Sequence, residues 1–385
     1  METQRADVID DGRVLPERVS TLELFFDLVF VFTITQLTTV LVEHPNARGV
    51  FRVVLMLAVI WWMYGGYAWL TNAVPPDRPS RQLLLLGAMG SYLVLALSVP
   101  QAFSGAGLSF GIAYALVVLV HMGLFSRSES ANVTQAISSL ARYNGVSALM
   151  VLAGGIAGGT AQYVLWAAAG LFEWLTPMIN EPSGFEVGPA HFVERHGLVV
   201  IIAIGESVVA VGIGAAGLPI DLELVAVALL GLTLTACLWW TYFGGDDSRA
   251  EIALAGAPPR PRAIMAVKAF GYGHLPILLG IIAIAATLKH TIGHASDELD
   301  LAPALFLAGG AALFLLGDVI MRHTLHIGQG RWRALAAAVV LLTIPLGTEV
   351  AGVAQLAAVV LVMVGLFAWE AANGPDGPGR RRRWS

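Results

Sequence analysis

The sequence predicts an all-α polytopic membrane protein with about twelve transmembrane helices, and three observations carry that expectation. Apolar residues make up 57% of the 385-residue chain and charged residues only 13%, whereas a soluble domain is about one-quarter charged. The apolar residues are gathered into long runs, and mean hydropathy reaches +0.73. The alternating segments of a membrane β-barrel are missing from the sequence. Helices are then the elements that satisfy every backbone N–H and C=O inside lipid.

A bilayer core about 30 Å thick needs roughly 18 to 25 residues of helix. Taken in order, the runs that answer to this fall near 21–42, 51–71, 82–103, 107–126, 140–158, 161–179, 192–214, 222–243, 266–288, 302–321, 333–348 and 352–371. Residues 1–20 are polar and charged, with no apolar core of a cleavable signal, so the first run is expected to act as an uncleaved insertion signal. Ser20 and Glu23 have the spacing of a capping box at its start. The fifth run begins close to Arg142 and contains Gly154, Gly155, Gly158 and Gly159, so a tilted or broken helix is expected there.

Orientation follows from the basic residues, which concentrate in cytoplasmic loops. Of the 22 Lys and Arg residues, only Arg48, Arg52 and Lys289 fall in one set of alternate loops. All the others, including Arg195, Arg333 and the tail run Arg380 to Arg383, fall in the other set. The bias predicts both termini in the cytoplasm, with the chain in the cell's plasma membrane.

The halves of the chain also resemble each other. Trp61, Trp62 and Tyr64 with Gly65 and Gly66 in the second run answer to Trp239, Trp240 and Tyr242 with Gly244 and Gly245 in the eighth. Gly170, Leu171, Phe172 and Trp174 answer to Gly365, Leu366, Phe367 and Trp369. The first and seventh helices each open near a Glu, Glu23 and Glu194, and reach a polar residue about three turns later, Gln36 and Glu206. These matches occur in chain order, which predicts two parallel six-helix repeats related by an axis along the membrane normal. The expected organisation is a cytoplasmic segment 1–20, a first half 21–180, a second half 181–372 and a basic cytoplasmic tail 373–385.

The net charge of -5 argues against a nucleic-acid partner. The single cysteine, Cys237, leaves no intramolecular disulfide and says nothing of redox compartment. No Ser-His-Asp elbow, HExxH, phosphate loop or cofactor fingerprint is visible in the sequence. His191, Glu194 and His196 have neither zincin order nor a common helical face, so no metal is expected there.

Several motifs do resemble a known family. RVSTLELFFDLVFVF at 18–32, ERHGL at 194–198, GES at 205–207, Trp239, Trp240, Tyr242 and Phe243, and GYGHLP at 271–276 with Leu279 and Gly280 look like the bacterial low-temperature-requirement A family, LtrA. They run from the first helix to the ninth. The resemblance implies a multi-spanning bacterial membrane protein whose family name records a need for growth in the cold; it implies a fold and a location rather than a reaction.

Ionisable groups inside membrane helices cost free energy and mark candidate sites. Counting about 1.5 Å per residue from the helix starts puts Glu206 and Glu173 each about 18 Å deep. Asp27 lies in the inner third, one helical turn beyond Glu23 on the same face, so the two are placed to share a proton or face a partner helix. His121 and His274 lie well inside, while Asp318 and Arg322 have the spacing of an interfacial ion pair at a helix end. No Lys or Arg is expected at the depth of these acids, so they are expected to be neutral or balanced by a bound proton or cation. The substrate- or proton-binding candidates are therefore Glu206, Asp27, Glu173, Glu23, Glu194 and His274. The leading expectation is a secondary transporter or channel-like permease for a small cationic or proton-coupled solute, its path between the two six-helix halves and its partners the membrane lipids and that cation or proton. A membrane-embedded enzyme acting on lipid and a non-catalytic membrane protein supporting growth at low temperature are the alternatives. Solute uptake in liposomes, lipid turnover in detergent, or neither, would separate the three, and oligomeric state is not readable.

Overall fold

A computed structural model describes residues 18–125, 131–179 and 187–373. The 1–17 part of the N-terminal segment, Arg127 and the Arg380 to Arg383 run lie outside the described residues. Each of the twelve predicted apolar runs is helical. In chain order the helices are α1 (Thr21–Glu43), α2 (Ala47–Ala73), α3 (Pro79–Ser98), α4 (Gly107–Phe125), α5 (Ala131–Ala157), α6 (Gly159–Ile179), α7 (Pro189–Gly214) and α8 (Leu222–Phe243), then α9 (Asp246–Gly256), α10 (Pro259–Ala266), α11 (His274–Thr291), α12 (Leu301–Leu325), α13 (Arg331–Leu341), α14 (Ile344–Glu349) and α15 (Gly352–Asn373). Among the described residues no strand is present.

Ten stretches among the described residues are long and apolar enough to cross a membrane by length and composition. They take in every predicted run except the fifth and sixth, α5 and α6. The ninth predicted run carries one irregularity the sequence reading lacked: α10 passes through a π-helical turn, Val267–Tyr272, before α11 begins. The eleventh breaks between α13 and α14, just before Pro345, whose ring removes a backbone donor. α9 and α10 occupy what the apolar pattern leaves as a loop.

The expected break in the fifth helix is not there. α5 runs unbroken to Ala157, and Gly158 and Gly159 follow with φ of +64° and +53°, making a turn directly into α6 that a side chain would strain. Gly155 serves a different end: a Cβ there would stand 2.1 Å from the carbonyl oxygen of Gly107, so its absence lets α4 and α5 touch backbone to backbone.

The described chain forms two compact units. One comprises the residues up to Phe30 together with Val59–Val199 and Asp247–Val267; in it α3, α4, α5 and α6 pack serially against one another. The other comprises Val31–Ala58, Val200–Asp246 and the residues from Lys268 on; in it α11 and α12 make the most extensive contact, with α8, α13, α14 and α15 also against α12. α11 and α12 approach closely because Gly280 and Gly310 face each other, a Cβ on Gly280 falling 2.5 Å from the Gly310 carbonyl oxygen.

Candidate functional site

Three helices of the first unit each present one polar stripe. On α1 the i,i+4 spacing puts Glu23 and Asp27 on one face; on α7 the same spacing aligns His191 and Arg195; on α2, Tyr64, Tyr67 and Thr71 form a third stripe. These side chains converge. Glu23, Asp27 and Arg195 are buried, the Arg195 and Asp27 side chains completely. Arg195 Nη1 donates to Glu23 Oε1 at 2.8 Å, while its Nη2 and Nε donate to Asp27 Oδ1 at 3.0 and 3.2 Å. Nη1 also donates to the Thr71 hydroxyl. Tyr64 donates its hydroxyl to Asp27 Oδ1 at 3.0 Å. The guanidinium carbon lies 5.4 Å from the Phe26 ring centroid and 5.9 Å from that of Tyr64, so aromatic faces supply the rest of its surroundings.

His191 completes the cluster. The amide of Asn72 accepts from the Gly188 backbone N–H at 3.0 Å through Oδ1 and turns Nδ2 toward His191 Nδ1 at 3.2 Å. Nδ1 is then an acceptor, and His191 donates through Nε2 to Glu23 Oε1 at 3.0 Å. With the imidazole in that state, two carboxylates face one guanidinium. Asp27 shows the surplus most plainly: its second oxygen, Oδ2, is buried and has no hydrogen-bond partner among the described residues.

Glu23 combines two roles that sequence reasoning set against each other. Its Oε2 accepts from the Ser20 backbone N–H at 2.9 Å and from the Ser20 hydroxyl at 2.8 Å, completing the capping box, while Oε1 binds Arg195 and His191. The expectation that no Arg or Lys accompanies the buried acids is corrected here. Arg195, read as a loop charge, is an interior residue bound to both acids of α1, because burying two carboxylates on one helix face is far less costly with a guanidinium between them. The idea that Glu23 and Asp27 share a proton directly gives way to a bridge through Arg195.

The other predicted residues do not join this cluster. Glu194, the residue before Arg195 on α7, is exposed and accepts from the Val19 backbone N–H at 3.2 Å. Glu206 belongs to the second unit; it is buried, accepts from the Thr35 hydroxyl at 2.7 Å and feels the charge of Lys289, so it too has a cation nearby. His274, in the same unit, is buried and tied at both ring nitrogens, Nδ1 to the Ala269 carbonyl oxygen at 3.0 Å and Nε2 to the Tyr242 hydroxyl at 2.8 Å. Since a carbonyl only accepts, Nδ1 carries the proton and Nε2 receives the tyrosine O–H. Glu173 stands in the first unit on α6, where Tyr114 of α4 and Ser147 of α5 both donate to its Oε1.

A second charge cluster lies in the second unit, and sequence reasoning caught only its edge. Asp318 and Arg322 are an i,i+4 pair at 3.5 Å, but Arg333 is the closer partner of Asp318, at 2.7 Å. Arg333 also binds Asp246 at 3.1 Å and Glu370 at 3.1 Å, and Arg322 clasps Asp246 at 2.6 Å. The network ties the start of α9 to the ends of α12 and α15 and the first turn of α13.

A helical protein with many membrane-length apolar segments, holding charged clusters in its interior rather than at its surface, defines a multi-pass integral membrane protein. The sequence profile described as Bacterial low temperature requirement A protein (LtrA) matches residues 18–368, and the chain belongs to that family. It is also 28% identical over 326 residues to an uncharacterised protein of Rhizobium meliloti (strain 1021), a match that covers 80% of this chain and 77% of that one.

Proposed function

We propose that the protein is a secondary transporter or channel-like permease for a small cationic or proton-coupled solute, working in the bacterial plasma membrane with lipids as its surroundings. The observation that carries this reading is the bare, buried Asp27 Oδ2 in a cluster with one more carboxylate than guanidinium. A buried surplus carboxylate has to be balanced, and a proton or a small cation is what can come and go. Asp27 is the inner-side relay in this reading and Glu206 the proton or cation carrier, its Oε2 held by Thr35.

Twelve crossings, with both termini cytoplasmic, go with this function. The polar residues of α5 and α6 are buried, as Asn144, Ser147, Gln162 and Glu173 are. Their outer faces are apolar: Leu149, Ile156, Val164, Leu171 and Met178 are all exposed, as lipid contact would require. A parallel duplication is supported by one shared detail. Gln162 of α6 and Gln355 of α15, each buried near the start of its helix, donate to the carbonyl oxygens of Ala102 and Ala304 at 2.7 and 2.8 Å.

The test is proton movement in proteoliposomes loaded with a pH-sensitive dye, driven by an imposed potential and supplemented in turn with candidate small cations. The reading expects flux in the wild type and its loss in Glu206→Gln, whose amide keeps the shape but cannot ionise. Wild-type flux in that variant, or none from the intact protein with any cation, would move the weight to a non-catalytic role in the membrane.

A further inference from the structure

Glu173 differs from every other buried acid described above in having no cation beside it. It is 1% exposed, and among the described residues it forms no ion pair. Its hydrogen bonding is lopsided. Oε1 accepts from two hydroxyls, those of Tyr114 and Ser147, while Oε2 is buried with no partner among the described residues. An ionised carboxylate spreads its charge equally over two oxygens and would leave half of it facing nothing polar. A carboxylic acid suits the same surroundings: a carbonyl oxygen receiving two donors, and an O–H on the other side.

The neighbouring elements supply hydroxyls rather than charges. α4 contributes Tyr114 and α5 contributes Ser147.

We propose that Glu173 is a proton-binding site in its own right, carrying its proton on Oε2. The proposal concerns proton occupancy, and it stands or falls independently of whether the protein transports anything.

Infrared difference spectroscopy of the full chain in lipid nanodiscs reads that occupancy directly. At neutral pH the wild type should show a carboxylic-acid C=O stretch that is absent from Glu173→Gln. In Tyr114→Phe the same band should move to higher frequency, because the carbonyl loses a donor. On transfer to heavy water the wild-type band should move to lower frequency as the acid's O–H becomes O–D. No such band in the wild type, or one that persists in Glu173→Gln, would overturn the site.

Discussion

Removing the guanidinium of Arg195 and removing the carboxylate of Asp27 should have very different consequences, although the two groups are bonded to each other. Arg195→Met keeps an unbranched apolar stem but takes away the cation that serves both Glu23, at 2.8 Å, and Asp27, at 3.0 Å. Two carboxylates are then buried with only His191 nearby, and breaking a buried pair in this way costs about 3 to 5 kcal/mol. That is roughly two to three and a half powers of ten in the folding equilibrium. Asp27→Asn leaves a single carboxylate facing a single guanidinium, and the amide oxygen can still accept from Tyr64 and Arg195, so the loss should be about 1 kcal/mol. Adding Glu23→Gln and Asp27→Asn to Arg195→Met should recover most of what the arginine change loses, since a neutral cluster has nothing left to balance. Unfolding in mixed detergent and SDS micelles, followed by tryptophan fluorescence, measures all four proteins on one scale. An Arg195→Met protein within about 1 kcal/mol of wild type would refute the reasoning that this guanidinium holds two interior acids.

Other consequences are checked by the same unfolding assay or by simple fusions. Gly155→Ala should destabilise by about 1 to 3 kcal/mol, because its Cβ meets the Gly107 backbone, whereas Gly87→Ala, with open space around it, should stay within about 1 kcal/mol of wild type. Tyr242→Phe takes the donor from the buried His274 Nε2 and should cost about 1 to 3 kcal/mol. A reporter fused after Ser385 should read cytoplasmic, given that only Arg48, Arg52 and Lys289 among the basic residues fall in the opposite loops; a periplasmic signal would reverse the orientation.

The helices were legible because a long apolar run has few other uses, and the face shared by Glu23 and Asp27 was legible from their spacing alone. Arg195 was not. It sits one residue from an exposed Glu194 and near a helix start, which in one dimension is how a loop charge looks, and its partner Glu23 is 172 positions away. The same distance problem hid the Arg333 cluster, whose bond to Asp246 spans 87 positions, so that only the local Asp318 and Arg322 pair was visible. Glycines near the end of α5 were read as weakness. Their use is a turn at Gly158 and Gly159 and a backbone contact at Gly155, and only the partner helix distinguishes those from a break.

The account centres on the buried acid of α1 having a function beyond holding the fold together, and one comparison addresses it most directly: proton flux and unfolding free energy measured on the same preparations of wild type and Asp27→Asn. Flux should fall at least tenfold in Asp27→Asn while stability changes by only about 1 kcal/mol, since the remaining Glu23 and Arg195 pair is balanced. Flux that is unchanged, or that falls only in proportion to the folded fraction, would contradict the account and leave the cluster a structural clasp.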